Sequence, residues 1–204
     1  MKFKRHTLIR KKCPICGGKP YFFARHPDQF NKQVHLMKCE NCGHGFYFET
    51  YDNRQLNLLY DEKYATSYLD ESTEHLNRKK QYDLDVELLR NYVASENFNV
   101  IDVGCSSGEY LEAMPETWTK YGMEVNEFLR EKLKEEKPRY KIYSSLAEID
   151  TFFDLVTLRG VIEHIPEHDE LVEFLQEKIK PDGFVYISAT PNFDSICSRL
   201  YKQH

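Results

Sequence analysis

Two hydrophobic periodicities divide this chain of 204 residues. In the first fifty, apolar and polar positions alternate over Tyr21 to Ala24 and Val34 to Met37 and return at Phe46 to Phe48, the pattern of short, half-buried strands. Tyr51, Asp52 and Asn53 break that pattern. From 54 to 95 the apolar residues shift to helical spacing: Leu56, Leu59 and Tyr60, then Leu84, Leu88, Leu89, Tyr92 and Val93, with charges between. Tyr60, Tyr64, Tyr68 and Tyr82 punctuate this stretch and read either as packing onto the next domain or as a helical lid over a ligand. After residue 98 short apolar runs alternate with amphipathic ones. Strands are predicted at Asn99 to Val103, Tyr121 to Val125, Tyr140 to Tyr143, Asp154 to Leu158 and Phe184 to Ala189, the last after a Pro181-Asp182-Gly183 turn. Helices are predicted at Tyr110 to Met114, at Asn126 to Lys137 with Pro138 closing it, and at His168 to Ile179. Such alternation predicts a parallel sheet flanked by helices. The expected organisation is therefore a small module over 1–50, a helical linker or lid over 51–95, and an α/β domain over 96–204.

Composition sharpens this picture without changing it. Hydrophobic residues at 41% and charged residues at 30% support a packed core and exclude wholesale disorder. No apolar run reaches membrane-spanning length, and the opening MKFKRHTLIRKK has positive charge without the apolar stretch of a signal peptide. The expectation is a soluble cytoplasmic protein with no membrane insertion. Charge is unevenly spread: residues 1–50 carry ten Lys and Arg against Asp28, Glu40 and Glu49, about +7, which leaves about −12 for the rest of a chain whose net charge is −5.

Six cysteines in a reducing compartment read as metal ligands or buried thiols rather than disulfides. Cys13 and Cys16 form one C-x-x-C pair and Cys39 and Cys42 a second, each followed by glycine, which relieves backbone crowding around two sulfurs from one tight loop. This is the pattern of a zinc ribbon. Fifty residues bury too little apolar surface to fold unaided, and a structural zinc contributes about 10 to 16 kcal/mol of apparent binding free energy in zinc-finger peptides. A complete thiolate set leaves His35 and His44 outside the shell. Four thiolates and one zinc ion sum to −2, so the module stays near +5 when metallated. It reads as a metal-stapled structural or docking module, or as a reader of RNA or substrate.

The run Val100-Ile101-Asp102-Val103-Gly104-Cys105-Ser106-Ser107-Gly108 places a strand, a loop of small residues and a helix in succession. Ligands bind such sheets at the carboxyl ends of the strands. A dinucleotide fingerprint would need glycines where this chain has Ser106 and Glu109. Glu124 ends the second strand about 20 residues after the loop, where an acidic side chain accepts hydrogen bonds from ribose hydroxyls. Gly104 and Gly108 with small residues between them resemble the first motif of class I S-adenosylmethionine-dependent methyltransferases. Ser106 departs from that family's usual middle glycine, though serine is small enough to keep the backbone close. Phe153-Asp154-Leu155-Val156, Val161-Ile162-Glu163-His164-Ile165, Lys180-Pro181-Asp182-Gly183 and Thr190-Pro191-Asn192 resemble the family's later signatures in order. The resemblance covers about residues 99 to 200. It implies a Rossmann-like fold that binds S-adenosylmethionine through Asp102, Gly104, Cys105, Ser106, Gly108 and Glu124, with Ser145 and Leu146 at the adenine. The ribbon and tyrosine-rich linker resemble a branch similar to enzymes that methylate sugars, glycan precursors and other metabolites. The family's sheet closes with two strands beyond the fifth, so the resemblance implies that C-terminal strands are missing here.

Each motif also has a plainer structural reading. Asp102 could organise its loop without touching ligand, and Glu163 and His164 could simply orient the turn after the fourth strand. Cys105 reads as a small loop residue and Cys197 as a buried one. Methyl transfer from a sulfonium is an in-line displacement that needs alignment, exclusion of water and, for a hydroxyl or acidic carbon, a base working near neutral pH. His164 is the candidate base. Arg159 either meets an acceptor's negative group, a phosphate or carboxylate, or forms a surface ion pair with the acidic domain. RNA 2′-O-methyltransferases with a related Glu-His pair have an acidic residue before it to complete a metal site, where this chain has Arg159, so a catalytic metal is not expected. Three functions follow: methylation of a small, anionic metabolite or glycan precursor; RNA methylation with the ribbon as reader; and a cofactor-binding scaffold without activity. The acidic sheet half favours a compact anion over a long RNA. Thr157-Leu158-Arg159-Gly160 also lacks the Asn/Asp-Pro-Pro-aromatic run associated with methylation of base amines.

Overall fold

The computed structural model describes residues 7–27, 33–51, 73–93, 98–165 and 168–196. The chain forms two compact units, Met1–Leu59 together with Asn192–His204, and Tyr60–Pro191. The predictions at Leu56, Leu59, Tyr60, Tyr64, Tyr68 and Cys197 lie outside the described residues.

In the smaller unit β1 (Thr7–Ile9) pairs antiparallel with β5 (Glu49–Tyr51), while β2 (Pro20–Pro27), β3 (Gln33–Cys39) and β4 (Gly45–Tyr47) form an antiparallel sheet. Its core among the described residues is small: Cys13, Cys39 and Phe46 are buried with Met37 packed against them, and Ala24 and Val34 are buried on β2 and β3. Among the described residues this is little apolar burial to set against the conformational entropy of ordering the chain, so a metal staple suits the unit. Residues after Pro191 belong to this unit. Phe193 lies over Gly45, where a Cβ would come within 2.3 Å of its ring, and packs at 5.1 Å against Phe23, while Asp194 pairs with Lys38 at 2.6 Å. Phe193 and Asp194, within the 96–204 segment of the sequence reading, thus pack with the smaller unit.

The larger unit holds a five-stranded parallel sheet of β6 (Asn99–Val103), β7 (Thr119–Met123), β8 (Lys141–Tyr143), β9 (Phe153–Arg159) and β10 (Ile179–Ser188), in the order β10-β9-β6-β7-β8. All pairings are parallel. The chain runs outward from β6 to β8 and returns on the other side through β9, so the switch in strand order lies between β6 and β9. Alternate residues face opposite layers. Val100 and Leu155 pack with α1 (Thr73–Arg90), α2 (Glu109–Ala113) and α3 (Glu127–Glu136), while Ile101, Val103, Val156 and Leu158 pack with α4 (Asp169–Lys178). The side-chain oxygen of Asn126 accepts from the Leu129 amide at 3.0 Å and caps α3. No described helix is long and apolar enough to cross a membrane.

Two details depart from the hydrophobic pattern. Among the described side chains of α1 the buried ones are Val86 and Leu89, with Tyr82 and, beyond the helix end, Val93 partly buried, whereas Leu84 is 65% exposed and Leu88 45%. The stripe that packs is one helical face, and Leu84 and Leu88 lie off it. Pro181-Asp182-Gly183 forms no separate turn, because β10 runs through it with an irregularity between Ile179 and Phe184. A Cβ at Gly183 would lie 2.9 Å from the Phe153 carbonyl oxygen, so this close approach requires glycine.

Candidate functional site

The loop between β6 and α2 lies at the carboxyl ends of the strands, beside the switch point. Three of its residues have positive φ: Gly104 at 75°, Ser106 at 49° and Gly108 at 77°. Glycine is needed twice for space as well. A Cβ at Gly104 would come within 2.6 Å of Val161, and one at Gly108 within 2.6 Å of Leu133. Ser106 accepts the left-handed conformation at some cost. Its amide donates to Glu124 Oε2 at 2.9 Å, while Glu124 Oε1 accepts from the Asn126 amide at 2.8 Å. Glu124, buried just after β7, thus ties the glycine loop to the start of α3. Burial raises its carboxyl above the usual range, and the amides of Asn126 and Ser106 oppose that rise. The Ser106 hydroxyl is buried without a partner among the described residues.

Beneath the loop, Asp102 is buried and accepts a hydrogen bond from the Thr157 hydroxyl at 2.6 Å. Burial pushes its carboxyl up to about 7, although the Thr157 bond and the Arg159 charge act the other way. Cys105 is buried, with Gly122 leaving room for its sulfur: a Cβ at that position would come within 2.6 Å. Burial, with Asp102 and Glu124 nearby, raises its thiol well above the ordinary value, which suits packing rather than nucleophilic attack. Ser145 precedes the 3₁₀ turn Leu146–Glu148 after β8, and Leu146 packs partly buried against the α4-side core.

His164 ends the 3₁₀ turn Ile162–His164 after β9 and is exposed, with no hydrogen bond to its ring among the described residues. Glu163 accepts from the Thr190 hydroxyl at 3.3 Å. Arg159 is turned toward α1: its Nε donates to Asp85 at 2.9 Å and a terminal nitrogen to Gln81 at 2.8 Å. An ion pair of Arg159 is therefore present, but an enclosed one, its side chain being 14% exposed, and not the surface pair of the sequence reading. Asp102, Gly104, Cys105, Ser106, Gly108 and Glu124 are contiguous, while Arg159 ends β9 and Ser145, Leu146 and His164 follow β8 and β9 at the same end of the sheet.

In the smaller unit the sulfurs of Cys13, Cys16, Cys39 and Cys42 all lie within 4.8 Å of one another. The two knuckles match: Gly17 and Gly43 have φ of 68° and 74°, and their amides donate to the Cys13 and Cys39 carbonyls at 3.0 and 3.1 Å. The Asn41 amide also donates to Cys39 Sγ at 3.4 Å. Sulfurs 3.5 to 3.6 Å apart, as in the Cys16–Cys39 and Cys13–Cys42 pairs, approach the edge of a tetrahedron with metal–sulfur bonds of about 2.3 Å. His35 is engaged elsewhere, its Nδ1 lying 2.6 Å from Glu49.

A family model described as a methyltransferase domain matches residues 60–200. The chain belongs to that family. A ubiquinone biosynthesis O-methyltransferase of Hydrogenovibrio crunogenus is 26% identical over 134 residues, which cover 61% of this chain and 56% of that protein. The chain therefore spans little more than half the length of that curated relative. Among solved structures, a putative S-adenosylmethionine-dependent methyltransferase of Methanococcus maripaludis superposes with a TM-score of 0.54 at 18% identity, covering 63% of each chain. The plantazolicin methyltransferase BpumL, solved with S-adenosylhomocysteine, gives 0.55 at 15% identity, covering 73% of this chain and 65% of that one. These likenesses show the fold, the five-stranded parallel sheet of a methyltransferase domain.

Two residues that hydrogen-bond the candidate-site residues Asp102 and Arg159 were not singled out from the sequence. Thr157 had a signal, a lone hydroxyl inside the apolar run Leu155-Val156-Thr157-Leu158. Asp85 had none, since one carboxylate in the charged helix Tyr82-Asp83-Leu84-Asp85 looks like its neighbours until the strand ends are packed against it.

Proposed function

We propose that this domain binds S-adenosylmethionine on the 104–108 loop and transfers its methyl group to a small, anionic metabolite or glycan precursor. The observation that carries the reading is the buried Glu124 carboxylate holding the amides of Ser106 and Asn126 beside a loop with three left-handed residues. The chemistry of this loop fits the cofactor. Each Glu124 oxygen spends one lone pair on a backbone amide, which leaves the other for a ribose hydroxyl. The unpartnered Ser106 hydroxyl supplies a further polar contact.

Bound there, the cofactor supplies an already activated methyl electrophile. The chain's part is to align the acceptor and exclude water. Gly104 and Gly108 keep the loop backbone clear of side chains, and Ser145 and Leu146, just past β8, flank the place for adenine. His164, exposed after β9, takes the proton of an acceptor hydroxyl. The name of the O-methyltransferase relative favours a hydroxyl as that group. The four cysteines hold a structural zinc ion that staples the smaller unit.

Titration calorimetry of the intact protein with S-adenosylhomocysteine tests the cofactor. Transfer of labelled methyl onto fractionated metabolite and RNA pools tests the acceptor. Label in small anionic fractions is the expected result. Label in RNA, with steeply salt-dependent binding abolished by reversing the charges of Arg10, Lys11 and Lys12, would replace the metabolite reading with the RNA one.

A further inference from the structure

Asp85 accepts from three donors on two strands: Arg159 Nε at 2.9 Å, the Tyr186 hydroxyl at 2.9 Å and the Ser188 hydroxyl at 3.3 Å. The Arg159 guanidinium lies 4.7 Å from the centre of the Tyr82 ring and 5.9 Å from that of Tyr110, and donates to Gln81 at 2.8 Å. The Arg159 and Asp85 side chains are only 14% and 20% exposed. A pair this enclosed is costly to break, because loss of one partner strands the other charge. One helix, α1, therefore gathers the carboxyl ends of β9 and β10 onto a single carboxylate.

The residues after Arg159 carry this grip to the cofactor loop. Gly160, at φ 63°, donates its amide to the Ser188 carbonyl at 2.9 Å and reverses the chain. Val161 then lies against Gly104, so closely that a Cβ there would come within 2.6 Å. The contacts run without a gap from Asp85 through Arg159, Gly160 and Val161 to the first glycine of the loop. We propose that Asp85 is a positioning residue for the cofactor-binding loop, acting through Arg159 and the turn it anchors. This rests on the reading that the loop binds S-adenosylmethionine, and it gives Arg159 a role in holding the site instead of meeting the acceptor's charge.

The test compares the intact wild-type protein with Asp85→Ala, Asp85→Asn, Arg159→Ala, Tyr186→Phe and the Asp85→Ala/Arg159→Ala pair. S-adenosylhomocysteine affinity is measured by calorimetry, and amide exchange at 104–108 is followed in the ligand-free protein. Loss of the charge-assisted bond is expected to weaken binding about tenfold in Asp85→Ala or Arg159→Ala, and the double variant should be no weaker than the worse single one. Exchange at 104–108 should quicken while that of the β6 core amides stays unchanged. Tyr186→Phe, which keeps the charge pair, should stay within about threefold of wild type. Asp85→Asn preserves shape and carries the same expectation if Asp85→Ala does not fold. Wild-type affinity and exchange in a folded Asp85→Asn, or additive losses in the pair, would overturn the proposal. Failure of the wild type itself to bind, with exchange still quickened in Asp85→Asn, would sink the cofactor reading and leave the positioning role standing.

Discussion

Replacing Asp102 by asparagine isolates the cost of keeping a carboxyl under the glycine loop. Burial raises this group from an ordinary 3.8 to about 7. A carboxyl raised in the folded state is held neutral by the fold. Its contribution is complete below its unfolded value, near pH 4, and is lost as pH rises toward 7. At about 1.4 kcal/mol per unit of difference, the cost of ionisation grows by about 2 to 3 kcal/mol between pH 5 and pH 8. The carboxamide of Asp102→Asn would keep the size of the side chain and an oxygen to accept the Thr157 hydroxyl, yet it would never ionise. The stability of Asp102→Asn relative to wild type is therefore expected to rise by about that amount over this range. Glu124, also raised by burial, is present in both proteins and cancels from the comparison. Trp118, the single tryptophan, is buried in the sheet unit's core, so its fluorescence during urea unfolding follows that unit without the ribbon. A difference between the two proteins that stays flat within about 0.5 kcal/mol from pH 5 to pH 8 would refute the reasoning.

Three further outcomes are expected. Elemental analysis of the purified protein should find one zinc per chain, and chelation should unfold the ribbon while Trp118 fluorescence keeps its folded value; absence of stoichiometric metal would remove the staple. Glu124→Ala should lose about 1.5 to 3 kcal/mol of cofactor affinity, ten- to hundredfold by calorimetry, and an unchanged constant would take the ribose away from this residue. Leu89→Ala, at a position 1% exposed, should cost about 2 to 5 kcal/mol of stability, whereas Leu84→Ala, at a position 65% exposed, should change it by less than about 0.5 kcal/mol in the same urea titration.

Much of the fold was legible along the chain because its signals are local. The apolar run ending at Gly104 is a strand wherever it packs, and Asn126 caps α3 through an amide three residues away. The two C-x-x-C-Gly turns likewise shape their sulfur pairs by backbone conformation alone, so the four-sulfur cluster could be named from spacing. Gly104, Gly108 and Glu124 were legible for a related reason: a strand followed by small residues and an acid after the next strand brings them together in any parallel sheet of this order.

Only the tertiary structure decided what depends on residues far apart in sequence. Phe193 leaves the sheet unit because Gly45, nearly 150 residues earlier, has no Cβ in its way. The buried stripe of α1 is Val86 and Leu89 because the sheet face lies on that side, a choice that spacing alone could not make between them and Leu84. Arg159 pairs with Asp85 because α1 places a carboxylate 2.9 Å from it across 74 residues of chain. Periodicity and spacing determine which residues are near neighbours along an element. Which carboxylate meets which guanidinium is settled by how the elements pack, since an enclosed charge takes the partner that packing supplies.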